Sequence, residues 1–309
     1  MNNSLFLNEF FATVSAFIDQ LSAHPDWAFF IRALLVTLVV IVFFTEVAKF
    51  MLTGLDAPSI VQSCLMVMAT LLLWANYDTV FSISHAFFDE VGLIMLDVGT
   101  GNRDGFFLSK YFFHAINQIY IEDLSIFQMT MGTAVIAILW ELSTAILQLL
   151  MWLVGAWGVL LVALAKMIGP LFVPLLAHPA TRPFFDGWFR FTLGALMLLI
   201  LLRASGVIAA IAFKAQLTAS KLLDCGSGLD FSGCRQDNPT LSAAFTDDVT
   251  HIGATDMLIM IVLCMILILS VLGITKELVG GVASPSKALN RGAGKMAAKI
   301  ATKLMGSPV

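Results

Sequence analysis

Long apolar runs separated by short polar breaks make up most of this chain, and several runs are long enough to span a bilayer. Residues 34–44 read LLVTLVVIVFF, and residues 257–272 are apolar almost throughout. About 20 such residues cross a hydrocarbon core as a helix. A membrane barrel requires short segments that alternate apolar and polar positions, and these runs do not alternate. The pattern predicts helices. Near the start the spacing changes: Leu7, Phe10, Phe11, Val14, Phe17, Ile18 and Leu21 recur at three and four residues. That is one helical face. Residues 1–26 therefore predict an amphipathic helix lying on a membrane surface or against a partner, broken by His24-Pro25-Asp26.

Residues 27–75 predict a two-span hairpin. A span over 31–52 closes on Glu46, Lys49 and Gly54, and Asp56-Ala57-Pro58 opens a second over 59–75. Residues 76–128 differ. Phe87, Val91, Ile94 and Met95 mark one amphipathic helix, 98–105 (VGTGNRDG) a polar turn, and 106–121 a second amphipathic piece. This region reads as extramembrane helices with an oily face that another surface must cover. Residues 129–213 predict apolar helices around a polar link at 178–187 (HPATRPFFDG), with one span at 188–212. The stretch 129–177 is about twice one crossing; its charges are Glu141 and Lys166, and Gly169-Pro170 and Pro174 interrupt it. It is either two spans or one span continued by a buried apolar helix. A polar loop at 214–256, a last span at 257–274 and a basic tail at 275–309 complete the chain. The expected fold is all-α and polytopic, with about five transmembrane helices plus amphipathic extramembrane helices.

Composition agrees with the pattern. Charged residues make up 12% of the chain and hydrophobic ones 59%, where a soluble domain carries about 25% charge. The tail holds Lys276, Lys287, Arg291, Lys295, Lys299 and Lys303 against one acid, Glu277. The positive-inside rule makes it cytoplasmic. The 214–256 loop is then outside, and the link bearing Arg182 inside. No Lys or Arg precedes Arg32, which suits an N-terminus outside. Opposite ends need an odd number of crossings, and five fits if 129–177 crosses once. Residues 1–26 lack a basic n-region and a clean apolar core, so no cleavable signal peptide is expected and the first span inserts itself.

The chemistry-bearing residues are sparse. The chain has no Walker A, HExxH, GxSxG or CxxC pattern, and its five His are scattered. No enzyme, metal or cofactor is expected. Glu141, Lys166 and Arg203 are charges in apolar surroundings and so candidates for function. The alternatives are channel lining or pairing: Arg203 with Glu141, and Lys166 snorkelling to the interface. Cys64 and Cys264 read as small apolar fillers. Cys225 and Cys234 flank CGSGLDFSGC outside the membrane, where they either close a disulfide or remain two free thiols. Gly206/Ala210 and Ser205/Ala209 permit close helix contact. In the tail, Lys287, Arg291, Lys295, Lys299 and Lys303 recur every fourth residue opposite Leu289, Ala293, Met296, Ile300 and Leu304. This predicts a basic amphipathic helix on an anionic leaflet.

Residues 166–190 read KMIGPLFVPLLAHPATRPFFDGWFR. Gly169-Pro170 frees a backbone carbonyl inside the membrane, which is tolerated only where protein or a watered cavity covers it. Thr181-Arg182 then reaches the cytoplasmic surface, and Phe184, Phe185 and Trp188 form an aromatic anchor at the interface. The string resembles the hallmark hairpin of the TrbL/VirB-type polytopic subunit of type IV secretion and conjugation systems. The matching positions are Gly169, Pro170, Leu171, Phe172, Thr181, Arg182, Phe184, Phe185 and Trp188.

The resemblance implies a channel or scaffold subunit of the bacterial inner membrane that supports pilus assembly and translocation of DNA or protein. It also implies a ring of copies of the chain, a pentamer being one candidate size. Contacts with the minor pilin of the pilus tip, other inner-membrane subunits and cytoplasmic ATPases follow, and the tail would dock an ATPase or guide DNA phosphates. Residues 1–26, 76–128 and 214–256 would be periplasmic. The competing expectation is a small-molecule transporter or permease. Such folds often carry broken helices in matching repeats, whereas this chain has one Gly-Pro break and no matching second half.

Overall fold

The computed structural model of the chain describes residues 3–54, 56–105, 107–117, 131–219, 248–280, 290–292, 294–296 and 299. In chain order the helices are α1 (Asn3–Ala23), α2 (Pro25–Thr53), α3 (Ala57–Ala75), α4 (Tyr77–Thr100), α5 (Phe107–Asn117) and α6 (Met131–Phe172). A 3-10 turn (Val173–Leu176) follows, then α7 (Arg182–Ala219) and α8 (Asp248–Gly280). Among the described residues there is no strand. The fold is all-α.

Six of these helices are long and apolar enough to cross a membrane: α2, α3, α4, α6, α7 and α8. Their outward faces show why water is not their solvent. On α8, Ile261, Cys264, Ile268 and Val271 are buried, while Ile259, Val262, Ile266 and Leu269 on the other side are exposed. Helix α2 likewise exposes Phe29, Phe30, Val36, Phe43 and Phe44. A helix apolar on all sides belongs in a membrane or a large core. The chain is a multi-pass α-helical membrane protein.

Two elements refine the sequence expectation. Helix α4, expected outside the membrane, is long and apolar enough to cross one, although it carries Asp78, Asp89, Glu90 and Asp97. Helix α6 is one unbroken helix of 42 residues, and with the 3-10 turn it makes a single candidate span. At 1.5 Å per residue α6 is about 63 Å long, roughly twice the hydrocarbon core.

The chain divides into two units. The first comprises Met1–Ala86, Leu160–Ala195 and Glu277–Val309. Here α2 and α3 form the expected hairpin, turning at Gly54, whose φ of 83° favours glycine. Glu46 locks the hairpin, accepting hydrogen bonds from Lys49 Nζ (2.6 Å), Ser63 Oγ (3.0 Å) and Ser59 Oγ (3.3 Å). The 3-10 turn packs on both α2 and α3, with Val173 and Leu176 fully buried.

The second unit comprises Phe87–Val159 and Leu196–Lys276. Small residues bring its helices together. A Cβ on Gly99 would lie 2.2 Å from Val207 Cγ1, and one on Gly206 would lie 2.6 Å from Leu108 Cδ1. Phe112 and Phe213 meet at 5.1 Å between ring centroids. Ala209 and Ala210 are fully buried, and Cys264 Sγ lies 3.8 Å from the Ala209 carbonyl. The small residues of α7 thus serve contacts within the chain.

Candidate functional site

The 166–190 segment forms an interlocked hairpin in the first unit. Pro170 lies inside α6 and carries no N–H, so the carbonyl four residues earlier, on Lys166, loses its helical donor. Tyr77 fills the gap: its hydroxyl donates to Lys166 O at 2.9 Å. Trp188 Nε1 donates to the neighbouring Ala165 O at 3.1 Å, and the Tyr77 hydroxyl lies 3.4 Å from the same oxygen. The expected cover for the freed carbonyl is therefore protein, supplied by the Tyr77 hydroxyl, while Trp188 bonds its neighbour.

Gly169 makes this geometry possible. A Cβ there would fall 2.0 Å from the Tyr77 hydroxyl oxygen and 2.6 Å from Trp188 Cζ2. Glycine and proline thus act together: one exposes the carbonyl, the other admits the ring that satisfies it.

The link beyond is closed by Thr181 and Arg182. Thr181 Oγ1 donates to Leu175 O at 2.7 Å and to His178 O at 3.1 Å. Arg182 Nε donates to Leu176 O at 3.2 Å. Leu175 and Leu176 end the 3-10 turn, and their carbonyls have no further turn of that helix to bond them. Arg182 Nη1 also donates to Asn290 Oδ1 at 3.1 Å, and Gln62 Nε2 donates to the same oxygen at 2.6 Å. The tail is tied to the hairpin through Asn290.

The aromatic anchor needs correction. Phe185 and Trp188 are buried and meet at 5.7 Å, whereas Phe184 is exposed. Positions three apart share a helical face while adjacent ones are about 100° apart. Only Phe184 is free to face an interface. Leu171 and Phe172 are half-buried at the end of α6.

The charges in apolar surroundings find partners other than those expected. Arg203 does not meet Glu141: its Nη1 donates to the Asp89 carbonyl at 2.7 Å and its Nη2 to Asp89 Oδ1 at 2.6 Å. Gly92 leaves room for it, since a Cβ there would lie 2.9 Å from Arg203 Cδ and Nη1. Arg103 pairs with Glu90, and Lys110 with Asp104. Lys166 Nζ lies 3.5 Å from Asp19 Oδ1 on α1, a partner that the sequence did not name. Glu141 is exposed on α6 between the exposed Leu139 and Leu142.

Cys264 is buried as a filler, while Cys64 is exposed. Cys225, Cys234, Lys287 and Lys303 lie outside the described residues. Arg291, Lys295 and Lys299 are exposed, and 290–292 and 294–296 are helical as expected for the tail. Among the described residues no group of His, Cys, Asp and Glu could hold a metal ion.

Tyr77 and Asn290 were invisible to the sequence pattern. The available signal for Tyr77 was thin: it is one of three Tyr and follows Asn76 at a helix junction. Asn290 is the one Asn in the 275–309 tail, and nothing in its spacing names a partner. No protein-family model matches the chain, and no curated protein matches it.

Proposed function

We propose that this chain is an inner-membrane channel or scaffold subunit of a bacterial type IV secretion system, of the TrbL/VirB type, serving pilus assembly and the passage of DNA or protein. The observation that carries the reading is the 166–190 string. Its Gly169, Pro170, Thr181, Arg182 and Trp188 resemble the family hairpin as letters, and each has a separate part in one interlocked turn. A scaffold role also suits a chain in which Lys49, Arg103, Lys110, Lys166 and Arg203 each pair with an acid, with ATP spent by partner ATPases.

The sidedness proposed is a periplasmic N-terminus and a cytoplasmic tail, supported by the basic tail and its tie to the Arg182 link. Five crossings is the count proposed, since ends on opposite sides need an odd number and the 129–177 stretch is one helix over most of its length.

Partners follow from length. About half of α6 exceeds one bilayer core, yet Val135, Ile138, Leu142 and Leu149 are exposed on it. Copies of this chain in a ring, the minor pilin or other inner-membrane subunits would cover that surface.

Deleting the coding sequence from its host and restoring it tests the reading. The expected result is loss of pili and of substrate transfer, recovered by the wild-type chain and not by Gly169→Ala at equal membrane level. Full transfer in the deletion strain overturns the proposal. So does uptake of a small solute by proteoliposomes of the purified chain, which would make it a transporter.

A further inference from the structure

The tail carries a charged surface that the hairpin holds at a defined height. Asn290 accepts from Gln62 and Arg182, and these lie near the start of α3 and at the start of α7, where two candidate spans begin. Gly294 also lies beside the Gln62 amide, where an added Cβ would fall 3.8 Å away. The tail thus leaves Asn290 level with the ends of the spans. From there Arg291, Lys295 and Lys299 are exposed at intervals of four, with Met296 exposed beside Lys295. On a helix Lys299 lies only about 14 Å along the axis from Asn290. No acid follows Glu277 in the chain.

We infer that Arg291, Lys295 and Lys299 form a docking surface for the phosphates of anionic phospholipid headgroups, with Asn290 as the pin that keeps them at the membrane surface. Three features on the page favour lipid over another polyanion. The pin is bonded to residues at the ends of spans, so headgroup phosphates lie within reach of the cations. The cations are accompanied by an exposed methionine, which an acyl boundary covers and a nucleic-acid backbone does not. The tail is uniformly cationic beyond Glu277, as a surface facing an anionic leaflet requires. The inference does not depend on the secretion reading; it would hold for any function of the chain.

The experiment uses the full chain with Met296→Cys carrying an environment-sensitive fluorophore, and Cys64, Cys225 and Cys234 replaced by Ser. It is reconstituted into phosphatidylcholine vesicles with or without phosphatidylglycerol. The expected result is a blue shift of the label when phosphatidylglycerol is present, reversed by high salt. Each basic residue at such a surface changes the bound-to-free ratio roughly fivefold. Arg291→Gln, Lys295→Gln and Lys299→Gln together should lower it roughly a hundredfold. Asn290→Ala should require more phosphatidylglycerol for the same shift while leaving the cations in place. Identical emission in both vesicle types overturns the inference. So does a shift that appears only on adding a single-stranded oligonucleotide, which would assign the surface to nucleic acid.

Discussion

The hydroxyl of Tyr77 donates to the backbone carbonyl of Lys166 at 2.9 Å, the carbonyl that Pro170 deprives of its helical donor. A carbonyl freed within a membrane helix thereby becomes a tertiary contact between α4 and α6. Removing the hydroxyl should leave a buried acceptor unbonded, at about 2 kcal/mol. Tyr77→Phe is expected to lower the unfolding midpoint of the detergent-solubilised protein. In a Pro170→Ala background, residue 170 regains its N–H, and the same substitution should cost well under about 1 kcal/mol. A double-mutant cycle measures the difference; equal costs in both backgrounds would refute the link.

Gly169 has the tightest surroundings of the hairpin. Its missing Cβ would sit 2.0 Å from the Tyr77 hydroxyl oxygen, and that ring is held in place by Trp188 and Phe81. Gly169→Ala should destabilise by about 3 kcal/mol through overpacking. Gly187 has open space within 4 Å, so Gly187→Ala should leave stability unchanged or raise it slightly. Thermal unfolding of the two variants side by side checks the contrast.

Arg203 and Asp89 tie α7 to α4 through two hydrogen bonds. Their side chains are 13% and 33% exposed, so partial solvation tempers the cost of separating them. Arg203→Gln should destabilise by roughly 2 kcal/mol, less than a fully buried broken pair. Combining it with Asp89→Asn should recover part of the loss, because no charge is left unpaired. Strictly additive losses in chemical denaturation would show that the two residues do not stabilise one another.

Topology can be read with reporters. Fusion after Val309 should give a cytoplasmic signal, and insertion at Asn102, in the turn between α4 and α5, a periplasmic one. If both report the same compartment, α4 crosses the membrane and the count of crossings becomes even.

The all-α, multi-pass character of the protein was plain in the letters, because burial in lipid imposes a one-dimensional rule: enough consecutive apolar residues must follow one another. The α2–α3 hairpin announced itself through Gly54, and VGTGNRDG announced a turn at 98–105, of which 98–100 belong to the end of α4. The letters also marked Pro170 as the source of an unbonded carbonyl. They could not say who would bond it. Tyr77 lies 89 positions from Lys166, and Asn290 lies 108 from Arg182. Periodicity along one helix says nothing about which residue of another will face it. For the same reason Arg203 has Asp89 for its partner and Glu141 is left exposed. Local sequence decides which helices form and which carbonyls or charges need a partner. Packing in three dimensions selects the partner, because hydrogen bonds and ion pairs act only over a few ångströms.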